Sequence, residues 1–401
     1  MVHRIDSEGA VDGRFQPGDA GTGLRATRHD FAWLNAQQEE ILGIVEAEGL
    51  TPTKGTWTQL GDAITKRIGR FAPIGIGKSY GLNGGFRIWQ RGTSFTHTAP
   101  GTGSTNVFNA DRFMSRVARD GTATISQAFR APGAGLESGS RSYLAWTQTV
   151  ASNTDEHGLF QRVDALEELA GQTITFSVQM SSGSGSLPVQ PLVRQRFGSG
   201  ESADVITYGS VQEVAASGWT RIEMSLTVPS IVGKTIGTTQ TFVEFGVTLP
   251  LNTTYTVNFD QFVIEAGDAV TAYREPPVDL ELALVRQYYQ KSYPDGVYAG
   301  DSTYNGSIMG YEQDRSWPAN PNCVLGANTQ FGIPMRAVPT ITWYAPILGT
   351  SNFFLWGANN YRSIVATYHT SRHQTGVPSL AGASSTAAWA AHWIADAEIK
   401  A

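Results

Sequence analysis

Two runs of strict alternation constrain this chain more than any other feature. Ile174, Phe176, Val178 and Met180 alternate with Thr173, Thr175, Ser177 and Gln179. Val243, Phe245, Val247 and Leu249 alternate with Phe242, Glu244, Gly246 and Thr248. A side-chain period of two puts one set against a core and the other against solvent, the signature of a half-buried strand. Further strand-like runs lie at 86–90, 123–130, 143–150, 189–197, 219–228 and 255–264, with turn residues between them. Roughly nine or ten short strands, each with one apolar face, describe an antiparallel β-sandwich or jelly roll. We expect this domain over 86–276, with a short helical turn near 163–169.

The flanks read differently. Residues 1–25 lack periodicity and read as an extended arm. Thr27 offers an N-cap, and Phe31, Leu34, Gln38, Ile41 and Val45 follow at spacings of 3, 4, 3 and 4 until Gly49 and Pro52. A second helix is expected from Thr56, burying Trp57, Leu60, Ile64 and Ile68. The seam suits helices packed round a symmetry axis and equally a small helical hairpin. Residues 1–70 thus form a helical segment, and the Gly-rich stretch 71–85 a linker. After Pro276 and Pro277, a helix over 279–290 leads into strands at 339–345, 353–356, 363–368 and 392–399, giving a second, smaller β-sandwich over 277–401. The fold class is therefore mostly β.

Composition narrows the functions. Only 16% of residues are charged, 44 of 401 are glycine and 10% are aromatic. That supplies several cores, and part of the surface is expected to be covered by other subunits. The net charge of −6 and the lack of a basic run argue against nucleic acid. Cys323 is the single cysteine, which excludes an intramolecular disulfide. No apolar run is long enough to insert in a membrane, and the N-terminus has no signal core, so cytoplasmic synthesis is expected.

Catalytic motifs are absent. The stretch 72–79 approximates a phosphate loop but lacks the strand before it and the helix after it. His369 and His373, four apart, read as a loop rather than a metal pair. Glu39–Glu40 and Glu167–Glu168 read as solvated helix faces. No G-x-S-x-G or H-E-x-x-H occurs, so the chain is not expected to be an enzyme. Sugar binding has more support, because Trp and Tyr stack on sugar rings while polar groups take the hydroxyls. By strand alternation, Trp146, Gln148, Gln179, Arg194, Arg196 and Glu244 are the candidate ligand-binding residues, expected on one polar sheet face.

Several stretches resemble bacteriophage tail fibre proteins. They are 30–41 (DFAWLNAQQEEI) with 46–52 and 58–60, 83–95 (NGGFRIWQRGTSF) with 110–113 (ADRF), 259–267 (FDQFVIEAG), 286–293 (RQYYQKSY) and 334–340 (PMRAVPT). The first resembles a virion-proximal helical segment, the next two the entry and ending of a jelly-roll carbohydrate-binding-like domain, and the last two a C-terminal unit. The resemblance implies a homotrimeric virion protein, attached to other tail or baseplate proteins through its N-terminal segment. It would be a short tail fibre or tail-tip component that adsorbs to a host-surface glycan. A tail-associated polysaccharide depolymerase and a purely structural tail protein are the alternatives. Domains of this kind often carry structural Ca²⁺, for which Asp111, Asp260 and Glu265 supply oxygen ligands. No other cofactor is expected.

Overall fold

The computed structural model describes residues 8, 10, 14–28, 31–71, 79–131, 141–311, 322–323, 328–347, 352–356, 360–363, 370–376, 380–381 and 388–400. They divide into two compact units, residues 1–75 and 76–401. His369 and most of the stretch 72–79 lie outside the described residues.

In the first unit, α1 (Phe31–Ala47) and α2 (Gln59–Phe71) pack as a pair. Gly49, at φ 72°, ends α1 as only a residue without Cβ does cheaply. Thr27 is not the N-cap, since α1 begins only at Phe31; its hydroxyl accepts the Gln16 N–H at 2.9 Å instead. The α1 seam faces outward, with Phe31 80% exposed and only Val45 buried. Of the expected stripe of the second helix, Leu60 is half-buried and Trp57 and Ile64 are not buried. Trp57 precedes the helix and is 94% exposed, and Ile64 is exposed too. Two short helices cover only one side of each other, so the remaining apolar side chains meet water.

In the second unit, thirteen strands form two antiparallel sheets. The first sheet runs β1 (Ser94–Thr98), β4 (Thr122–Phe129), β5 (Ser142–Val150), β13 (Tyr255–Ala266), β7 (Thr173–Ser182) and β11 (Thr220–Thr227). The second runs β10 (Gln212–Val214), β8 (Leu187–Phe197), β12 (Thr241–Thr248), β6 (Gly158–Val163), β3 (Phe113–Val117) and β2 (Thr105–Phe108), with β9 (Val205–Tyr208) paired to β8. The core between them takes Ile174, Phe176, Val178 and Met180 from β7, and Val243, Phe245 and Val247 from β12, as alternation requires. The helical turn α3 (Leu166–Leu169) is present, but 86–90 is not a strand. Asn83 holds that stretch as a turn, its side-chain amide bonding Ile88 and the Asp111 carbonyl.

The expected linker ends early, because residues 79–85 pack on the sandwich. Leu82 N–H donates to Gln161 at 2.8 Å. Gly84 lies so close to the bulge in β13 that a Cβ there would stand 2.2 Å from the Phe262 carbonyl oxygen.

Beyond the sandwich, α4 (Val278–Val285) is shorter than expected, and β14 (Tyr289–Lys291) begins inside the range expected for the helix. Its residues Tyr289 and Gln290 are buried by pairing with the C-terminal strand β23 (Ala388–Asp396), which overrides local helix propensity. Around β23 gather β15 (Ile308–Tyr311), β18 (Thr340–Tyr344) and β19 (Asn352–Trp356), with β20 (Asn360–Ser363) outside β19. Two short ladders pair β16 (Asn322–Cys323) with β22 (Leu380–Ala381), and β17 (Asn328–Gln330) with β21 (Gln374–Gly376).

This sheet is bound to the sandwich by buried charge. Glu398 accepts from the Arg112 guanidinium and, at 3.3 Å, from Arg91. Arg112 stacks 3.4 Å from the Tyr288 ring, and Arg162 donates to the Ile399 carbonyl at 2.8 Å. The expected boundary at 276/277 is therefore no break in packing. Among the described residues, no helix is long and apolar enough to cross a membrane.

Candidate functional site

β5 carries the expected aromatic and polar residues, but with its faces exchanged. Ser142, Leu144, Trp146 and Gln148 point inward, while Tyr143, Ala145, Thr147 and Thr149 point outward. Trp146 is 0% exposed and belongs to the main core. Its indole N–H donates to Gln148 Oε1 at 3.0 Å, and Gln148 donates to the Val150 carbonyl at 2.7 Å. The physical reason is area: burying Leu144 with Trp146 removes far more apolar surface from water than burying alanine and threonines. Neither Trp146 nor Gln148 can meet a ligand. His157 stands edge-on to Trp146 at 5.2 Å and accepts the Ala118 N–H through Nδ1. Burial pushes its imidazole down to about 4, so it stays neutral near pH 7.

The outer face of the first sheet holds a different aromatic group. Tyr143 and Trp219 are half-buried, with ring centroids 5.8 Å apart at 79°. The Arg130 guanidinium lies 4.3 Å from the Trp219 ring and 5.2 Å from the Tyr143 ring. Behind it, Asp260 is fully buried and pairs with Arg130 at 2.8 Å. Gln179 stands directly across from Asp260 on one side and from Arg221 on the other. Of the sequence-predicted residues, only Gln179 reaches this face.

Hydroxyls cover much of what remains there. Thr96 meets Thr124 at 2.9 Å, Thr98 meets Thr122 at 3.1 Å, and Thr173 meets Thr227 at 3.3 Å. An aromatic pair held by a buried cation–carboxylate pair, beside an amide and rows of hydroxyls, can stack on a sugar ring and bond its hydroxyls. Arg130, Tyr143 and Trp219 were missed from sequence. The signal was present in β5, where Leu144 shares the parity of Trp146.

Arg194, Arg196 and Glu244 lie elsewhere, on the outer face of the second sheet. They border an open pocket of about 290 Å³ whose walls include Arg116, Arg162, Arg194 and Arg196. Glu244 is fully buried beneath it. It accepts from Arg162 at 2.8 Å, Arg194 at 3.2 Å and Arg116 at 3.3 Å. Burial alone would raise this carboxyl, but the three guanidiniums outweigh it and hold the group below its usual range. Glu156 closes a ring, accepting from Arg194 at 2.6 Å and from Arg116. The candidates therefore do not share one face. They split among the core, the outer face of one sheet and the outer face of the other.

The three acids considered for Ca²⁺ each have another partner. Asp111 pairs with Arg91 at 2.5 Å, Asp260 with Arg130, and Glu265 accepts from the Thr271 N–H and hydroxyl, each at 2.7 Å. Among the described residues, no group of three or more His, Cys, Asp or Glu could hold a metal ion.

No protein-family model matches the chain, and no curated protein matches it. Solved structures similar to it are mainly carbohydrate-binding modules. The CBM22-2 xylan-binding domain of Paenibacillus barcinonensis Xyn10C is 16% identical over 43% of this chain and 99% of that one, at a TM-score of 0.30. The CBM22-1–GH10 modules of Clostridium thermocellum xylanase 10B are 13% identical over 35% of this chain, at 0.27. The enzymatically active domain of bacteriophage CBA120 tailspike protein 4 is 9% identical over 47% of this chain, at 0.29. The matched stretch spans 24% of the xylanase chain and 21% of the tailspike chain. At such scores the likenesses decide nothing by themselves, and the sandwich fold rests on the strand pairing above.

Proposed function

We propose that this chain is a bacteriophage virion protein, a short tail fibre or tail-tip component, that binds a host-surface glycan through the outer face of its first sheet. The observation that carries the binding reading is the Tyr143–Trp219 pair with Arg130 across both rings and Asp260 behind it. The tail assignment rests on the ordered succession of sequence stretches that resemble tail fibres. Trp219→Ala is expected to abolish retention of the full-length protein on host cells or their purified surface polysaccharide. The melting temperature should fall by only a few degrees, because Trp219 is outside the core. Retention unchanged by Trp219→Ala would remove the face from the reading. Shortening of the polysaccharide during incubation would favour the depolymerase alternative.

Residues 1–70 attach the protein to other tail or baseplate proteins, and three copies assemble along α1. Phe31, Leu34 and Ile41 lie at 80%, 47% and 47% exposure along the 3-4 seam, a side that the single chain leaves in water. Two further copies would bury it. Light scattering on the purified protein should give about three times 43.2 kDa. A monomer at micromolar concentration removes the trimer.

A further inference from the structure

The pocket on the outer face of the second sheet gathers four guanidiniums around three carboxylates. Around the pocket of about 290 Å³, Arg116, Arg162, Arg194 and Arg196 face Glu156, Asp204 and Glu244. The single charge of Glu244 is divided among three arginines, and Glu156 is shared between Arg116 and Arg194. That ring consumes both glutamates. Arg196 is left with Asp204 alone, at 3.5 Å, with both side chains about a quarter exposed. Burial holds the Arg116 guanidinium below its usual range, and the neighbouring Arg194 and Arg162 add to the effect while Glu244 opposes it.

The pocket's rim is polar and open. Ser104 and Asn106 stand on it, and Asn106 also accepts from Arg116 Nε at 2.9 Å, which fixes its carbonyl end and leaves its amide to a ligand. The volume falls just below the roughly 300–1,000 Å³ usual for drug-sized ligands, which suits a single ring. A guanidinium recognises a carboxylate through paired, charge-assisted hydrogen bonds.

We propose that this pocket binds the carboxylate of an acidic sugar residue, of uronic-acid type, with Arg196 as its ion partner and Ser104 and Asn106 meeting its hydroxyls. The site is separate from the aromatic face of the first sheet and takes a charged ligand rather than a neutral one. In Arg196 the ligand's carboxylate replaces the loose contact to Asp204.

The test is titration of the full-length protein with glucuronate, glucose and acetate, read by calorimetry. Glucuronate should bind saturably, and more tightly than either glucose or acetate. Arg196→Gln should weaken it about tenfold or more, since a charge-assisted hydrogen bond is lost. Asp204→Asn removes the competing carboxylate and should tighten binding severalfold. This second variant keeps the test decisive if the first fails to fold. Glucuronate that does not bind, acetate or glucose that binds as well, or binding unaltered in both folded variants overturns the proposal.

Discussion

Glu398→Ala is expected to destabilise the unit 76–401 by about 3–5 kcal/mol, because it leaves the buried Arg112 without its counter-charge, whereas Arg91 keeps Asp111. The Glu398 side chain is fully enclosed, and Arg112 beside it is 2% exposed. Arg112 also donates to the Arg162 carbonyl and adopts φ 74°, a left-handed conformation that costs a non-glycine residue about 1 kcal/mol or more and persists only when surroundings over-determine it. With Glu398 gone, the cation cannot swing into water without dragging the turn before β3. Equilibrium urea unfolding would measure the loss, and limited proteolysis should cut the C-terminal sheet first. Arg112→Met combined with Glu398→Met should recover part of the deficit, since a neutral pair leaves no orphaned charge. A cost below about 1 kcal/mol for the single change would show that water reaches this seam.

Trp146→Ala is expected to cost a similar amount, about 3–5 kcal/mol, for a different reason. It opens a large cavity against Ile125 and Val257, which lie opposite it in the neighbouring strands. It also strips the Gln148 side-chain carbonyl of its indole donor. The unfolding midpoint should fall steeply, while protein that remains folded at low temperature should still bind the glycan through Tyr143 and Trp219. Full stability with lost binding would return Trp146 to the ligand face.

Much of the sandwich was legible because alternation is a local property. Burying Ile174, Phe176, Val178 and Met180 on one side of β7 requires no knowledge of the partner strand. The same logic placed Arg194 and Arg196 together, with Glu244 opposite the core set of β12. In β5 both faces carry an aromatic residue, and the expectation put Trp146 outward although Leu144, two residues before it, already marked that parity as the inward set. Local reading failed also at Tyr289, where pairing with a strand about a hundred residues later outweighs helix propensity. Short strands such as β2, β9 and β10 hold too few residues for a period to show.

The amino-acid sequence by itself determined the class of the protein. It set a mostly β chain with a helical N-terminal segment, the inward sets of β7 and β12, and an N-terminal helix with an apolar seam. Tertiary structure decided which residues can act together. Which sheet a strand joins is settled by pairings between distant residues, and only those pairings put Arg130, Tyr143, Trp219 and Asp260 on one face and Arg116, Arg162, Arg194 and Arg196 on another. The reason is that side-chain direction is written residue by residue with a period of two, whereas adjacency across a sheet depends on register between segments far apart in the chain.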